Sequence, residues 1–302
     1  MPLIAIMLVS VAAFIHAFWN LLGKRQNPSA AFFWVASVAA TVALLPLLVR
    51  DWWVLALIPR PVWALIVFSC VFEALYYTAL AGAYRNGDMS LAYPLARALP
   101  TLLITVCTII LGIGKPLTVV GLVGIVAVAL GCLILPLRSL RAIHLADYLN
   151  ACCLLAVLAA IGTSGYTLID NESLRVLRAL PGSGLGTIEI TLLYLEITSA
   201  GIVVMMGLFI AVYPTERARL RQFTSNGVGY PVLAGLVITV GYSMVLVAMA
   251  YATNVSYIGA FRQTSIPLGA TLGIVVQKEP LYRAKVIGTV IMLAGLVLVA
   301  IA

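Results

Sequence analysis

The chain has 302 residues, of which 63% are hydrophobic and only 9% charged, and its mean hydropathy is +1.13. Soluble domains carry about 25% charged residues and cannot hide so much apolar surface, so water is excluded as the main solvent and a bilayer is implied. The formal net charge is +8, but the basic residues sit in short loops between apolar runs, which excludes a nucleic-acid surface and matches the bias that orients membrane proteins.

The predicted fold class is an all-α integral membrane protein. Ten apolar segments are expected as transmembrane helices, roughly 3–22, 30–49, 62–84, 89–111, 117–136, 147–169, 186–212, 228–251, 257–276 and 284–302. Each approaches the ~20 residues that a spanning helix needs. Segment 1 lacks the basic leader of a cleaved signal and is read as a retained helix. It places His16, Trp19 and Asn20 at i, i+3 and i+4, one stripe that is expected to face a cavity rather than lipid. Histidine is also a proton carrier near neutral pH.

Segment 3 places Glu73 and Tyr77 on one helical stripe. Segment 4 carries Arg97 between Pro94 and Pro100, with Tyr93 and Thr101 one turn to either side. An arginine at a helix centre costs roughly 2.5–3.5 kcal/mol on insertion scales, so such a residue is by default functional and faces protein or water. The two prolines remove backbone donors, and freed carbonyls at that depth are tolerated only where protein or a cavity covers them. Arg97 therefore meets either an anionic cargo or an intramembrane carboxylate, for which Glu73 is the candidate.

Segment 6 offers Thr163, Ser164 and Tyr166 between glycines, and segment 8 offers Tyr242 and Ser243. Glu189 and Glu196 share a face of segment 7, with Glu196 the deeper; Glu73, His16 and Glu196 are the candidates for proton coupling. Segment 9 carries Arg262 and Gln263, read either as the other cavity wall or as headgroup contacts. Gly269 and Gly273 form a G-x-x-x-G pair, and Gly288 and Gly295 share a face of the last segment. Packing within a monomer is the favoured reading, and a homodimer is the alternative. The five cysteines form no C-x-x-C pair and the two histidines are isolated, so no metal or other cofactor is expected. There is no G-x-x-x-x-G-K-[ST], which excludes a P-loop ATPase, and no nucleophile–base set that would point to an enzyme.

The chain resembles itself. YRNGDMSLAYPLARALP at 84–100 aligns with YATNVSYIGAFRQTSIP at 251–267, KPL at 115–117 with EPL at 279–281, and Gly124 and Gly131 with Gly288 and Gly295. The expected units are 1–138 and 139–302, five helices each. Five is odd, so the second copy would enter the membrane inverted, as in many secondary transporters whose substrate site lies between the halves. Eleven of the 18 Lys and Arg fall on one side, five on the other, and Arg97 and Arg262 within the membrane. The richer side is expected to be cytoplasmic, with both termini on the opposite side of a cell (inner or plasma) membrane.

GDMSLAYPLARALP, AFIHAFWNLLGK and VVQKEPLYRAKVIGTVIMLAGLVLV resemble the ten-helix EamA-type proteins of the drug/metabolite transporter superfamily, over nearly the whole chain. The resemblance implies a transporter with a central cavity, and export as its direction. The expected function is alternating-access transport of a small polar metabolite such as an amino acid. The alternatives are a multidrug exporter of lipophilic cations and a lipid-headgroup flippase.

Overall fold

The computed structural model of the protein describes residues 1–23, 29–86, 89–135, 137, 150–277 and 282–302, without the side chains of 18–23, 84, 86, 89–94, 224–226 and 272–277. Among the described residues the secondary structure is entirely helical. Twelve α-helices follow in order: α1 (Leu3–Gly23), α2 (Ala30–Arg50), α3 (Arg60–Asn86), α4 (Met89–Leu111), α5 (Val119–Ile134), α6 (Ala151–Leu177), α7 (Thr187–Val212), α8 (Pro214–Asn226), α9 (Gly229–Met249), α10 (Val255–Phe261), α11 (Ser265–Gln277) and α12 (Arg283–Ile301). Six of them, α2, α3, α6, α7, α9 and α12, are long and apolar enough to cross a membrane, and α1, α4 and α5 contain shorter apolar runs.

The helical count differs from the ten expected, for identifiable reasons. The loop after α7 forms α8, a helix of polar sequence that hydropathy does not register. Pro214 opens it at the first turn, where a missing N–H costs nothing. Glu216 then docks it: Oε2 accepts from the Ala31 backbone N at 3.0 Å, at the start of α2, and Oε1 pairs with Arg85. The other difference is a break in segment 9, where a 3-10 turn, Arg262–Thr264, separates α10 from α11. Pro267 cannot supply the N–H that the Gln263 carbonyl would accept in a continuous helix. Thr264 and Ser265 hydroxyls donate to the carbonyls of Phe261 (2.6 Å) and Arg262 (3.1 Å), which stabilises the tighter turn.

Segment 6 runs further than expected. Asn150 caps α6 through the Cys153 N–H at 2.9 Å, and the helix continues through Asp170, Asn171 and Glu172 to Leu177. No Pro or Gly interrupts the sequence between Gly165 and Pro181, and Arg175 pairs with Glu172 one turn back.

Polar side chains are buried within an apolar core, and large apolar side chains cover the outside. Buried positions include Ser69, Glu73, Thr101, Thr167, Asp170 and Gln263, while Val42, Ile110, Val119, Leu208, Val290 and Val297 are exposed. An apolar outer surface with its polar groups turned inward suits lipid as the solvent. Helices pair across the expected 138/139 boundary: α3 packs on α6, α1 on α9, α2 on α7, and α5 on α12. The two halves therefore share one core.

The α5–α12 contact is a close approach of two backbones. A Cβ on Gly124 would lie 2.8 Å from the Gly295 carbonyl oxygen, and one on Gly131 would lie 2.7 Å from that of Gly288. The glycines of α12 thus pack against α5 of the same chain. Gly269 has open space around it, and the side of Gly273 lies outside the described residues.

Candidate functional site

Four segments converge on a small buried cavity of about 20 Å³. α4 contributes Ala96, Arg97, Pro100 and Ile104; α6 contributes Thr163 and Tyr166; the α10 segment and its 3-10 turn contribute Gly259, Arg262 and Gln263. Tyr76 of α3 closes the wall. The volume is about that of one ordered water, so admitting a metabolite requires the surrounding helices to part.

Arg97 and Arg262 reach the cavity from opposite halves of the sequence. Arg97 Nη2 donates to Ser265 Oγ at 2.6 Å, and that hydroxyl donates to the Arg262 carbonyl at 3.1 Å. The break in the helix at 262–264 thus supplies the second arginine, and Ser265, the residue just after it, links that arginine to the first. Arg262 Nη1 reaches Thr167 Oγ1 at 3.5 Å, and its guanidinium lies 5.6 Å from the centre of the Tyr242 ring, within cation–π range. Gln263 Nε2 donates to Thr101 Oγ1 at 3.2 Å and to the Gly259 carbonyl at 3.3 Å.

Behind Arg262 stands Asp170, 1% exposed. Its Oδ1 accepts from Ser69 Oγ and from Tyr194 OH at 2.6 Å, and its Oδ2 accepts from Tyr242 OH. Three hydroxyl donors from α3, α7 and α9 satisfy one carboxylate of α6. The same Tyr242 presents its ring to Arg262, so Asp170 positions the arginine through the tyrosine. Glu73, also buried, lies in the field of Asp170 and Arg262 and beside Tyr77.

Of the predicted residues, Arg97, Tyr166, Arg262 and Gln263 line the cavity. Thr101 holds Gln263, and Tyr242 contacts Arg262 from behind. His16 is partly buried and within electrostatic range of both arginines. Glu73 is not brought to Arg97 as an ion-pair partner; its charged neighbours are Asp170 and Arg262. Tyr77 stacks on Phe33, ring centres 4.7 Å apart, and its neighbour Tyr76 takes the wall position instead. Glu196 is fully buried with no hydrogen-bond partner for either carboxylate oxygen among the described residues, and it does not line the cavity. The side chains of Trp19, Asn20 and Tyr93 lie outside the described residues.

Sequence reasoning missed Asp170, Ser265 and Tyr76. Asp170 was lost because D-N-E reads as a loop; the unbroken run to Pro181 was the signal against that. Tyr76 sits at i+3 from Glu73, as good a helical neighbour as Tyr77 at i+4. Nothing in the sequence singles out Ser265.

No family model matches the chain. No curated protein matches it either. Among solved structures, one that bears only the name "Crystal structure of protein" superposes with a TM-score of 0.67 over 98% of this chain and 96% of that one, at 15% identity. At that identity the likeness speaks for a shared fold alone.

Proposed function

We propose that this chain is a secondary transporter that carries a small polar metabolite with an anionic group by alternating access, with the cargo between the two halves of the molecule. The observation that carries this reading is the convergence of Arg97 and Arg262, from opposite halves, on one buried cavity. Two guanidiniums in an apolar interior are costly unless they work on something negative. A lipophilic-cation exporter is disfavoured for the same reason, since two arginines on the wall repel that cargo.

The packing supports ten spans in two inverted repeats, at 1–138 and 139–302, of the kind found in EamA-type transporters. With α1–α5 matched in order to α6, α7, α9, the α10–α11 pair and α12, contacts recur on exchanging the halves. α1 against α9 corresponds to α6 against α3, and α2 against α9 to α7 against α3. Gly124 on Gly295 corresponds to Gly288 on Gly131. Such exchangeable packing offers two arrangements of similar energy, which alternating access needs. We further infer a cell-membrane location with both termini away from the cytoplasm, from the Lys and Arg bias alone.

The test is flux in proteoliposomes with wild type and Arg97→Ala. Carboxylate cargo should cross with the wild type and lose at least about tenfold in rate with the variant, the scale of one charge-assisted contact. Wild-type flux in a correctly inserted Arg97→Ala protein would refute the assignment.

A further inference from the structure

This inference rests on the transporter reading above and names the chemistry of the cargo. The described residues on the cavity wall comprise two arginines, a glutamine, a threonine and two tyrosines, with four apolar or small residues and no acid. The nearby carboxylates are turned to other work. Asp170 receives three hydroxyls, and Glu73 lies beside Tyr77 and Asp170; neither lines the cavity. A primary amine entering this cavity would be protonated, would meet two guanidiniums, and would find no carboxylate on the wall.

Gln263 and Thr163 of the same wall each hold a polar atom with no hydrogen-bond partner among the described residues. Gln263 Oε1 and Thr163 Oγ1 are both buried and unsatisfied. The orientation of the Gln263 amide is fixed by its neighbours, because its other end donates to the Gly259 carbonyl, which can only accept. Oε1 is therefore an acceptor that asks for a donor from the cargo. Buried polar atoms left unsatisfied are costly and call for an explanation.

We infer that the cargo is a hydroxylated organic anion, an oxyanion group held by Arg97 and Arg262 with a neutral hydroxyl offered to Gln263 Oε1 and Thr163 Oγ1, and not a zwitterionic amino acid. The arginines supply forked donors for a carboxylate or a phosphate alike. The hydroxyl satisfies the two orphan atoms without adding positive charge. Discrimination comes from the repulsive element as much as the attractive one, because the guanidiniums act against an ammonium group.

Matched isosteres test this directly. Purified full-length protein would be titrated with L-lactate and L-alanine, then with 2-hydroxyisocaproate and L-leucine, each pair differing only in hydroxyl against ammonium. Glycerol 3-phosphate serves as the arm that separates phosphate from carboxylate. The hydroxy acid should bind roughly tenfold or more tightly than its amino partner, as like-charge juxtaposition requires. Arg262→Gln and Arg97→Gln should each shrink that ratio, whereas Arg262→Lys should keep its sign. A purely structural role for the arginines would leave the ratio unmoved.

Gln263→Glu is the converse variant. A carboxylate on the wall should raise amino-acid binding and lower hydroxy-acid binding, a reversal that misfolding cannot mimic. Preference of the wild type for L-leucine or L-alanine would overturn the inference and leave the transporter reading standing. Binding and flux of tetraphenylphosphonium alone would overturn both.

Discussion

Asp170 concentrates more of the interior polarity than any other residue described in the site. Ser69, Tyr194 and Tyr242 all donate to it, and Tyr242 in turn faces Arg262. Hydrogen bonds to a charged group are worth about 1.5–3 kcal/mol each, and orphaned partners cost about as much as the bond. Asp170→Asn keeps the shape but replaces an acceptor with a donor that opposes one of the hydroxyls. We expect it to destabilise the protein by about 2–3 kcal/mol, read as a lowered Tm in detergent. It should also weaken cargo binding by releasing Tyr242 from its position against Arg262. An unchanged Tm would mean that the three hydroxyls find other acceptors and that Asp170 is not their anchor.

Among elements, α5 and α12 meet through glycine and the break between α10 and α11 meets the cavity. At Gly131 an added Cβ would sit 2.3 Å from Met292 Cγ and 2.7 Å from the Gly288 carbonyl oxygen. Backbone cannot yield there, so Gly131→Ala should cost about 1–3 kcal/mol by overpacking. At Gly269 no atom of the described residues lies within 4 Å, and Gly269→Ala should be neutral or gain up to about 1 kcal/mol from helix propensity. Thermal unfolding of the two variants compares them directly, and equal shifts would contradict the close approach. Pro267→Ala restores the donor that the Gln263 carbonyl lacks, so the 3-10 turn should revert toward α-helix. We expect a higher Tm with slower transport, because the turn is what aims Arg262 and Ser265. Faster or unchanged flux would show that the break is incidental.

At the scale of the molecule, the two sequence halves have no separate cores. Each of the main interhelical contacts named above joins one half to the other. Residues 1–138 or 139–302 expressed alone should therefore aggregate or be degraded, while co-expression should recover a folded complex by burying the same shared surfaces. A stable isolated half would contradict the shared core. The cavity of about 20 Å³ makes a related point: substrate must open the molecule along contacts between halves, so binding and helix rearrangement are one event.

Much of this was legible in sequence because the bilayer imposes simple rules. Long apolar runs had to be helices, since nothing else satisfies the backbone in lipid. Isolated polar residues within those runs had to face inward, which pointed to Arg97, Glu73 and Tyr166 as interior, while Arg262 was left between the cavity and the headgroups. Glycines aligned by the repeat, 124 with 288 and 131 with 295, turn out to lie on the two faces of one close helix contact, α5 against α12. Local chemistry hid other features: α8 is polar and is docked through Glu216, whose partners Ala31 and Arg85 are 185 and 131 residues away. Asp170 read as a loop because its satisfying hydroxyls lie on three other helices. Hydropathy and helical period are properties of neighbours along the chain, so the sequence alone determined the class of the protein and which residues turn inward. Which inward residues meet is a property of helices far apart in sequence, so only the tertiary structure decided that Arg97 is joined to Ser265 and Arg262, and that Glu73 stands with Asp170 instead.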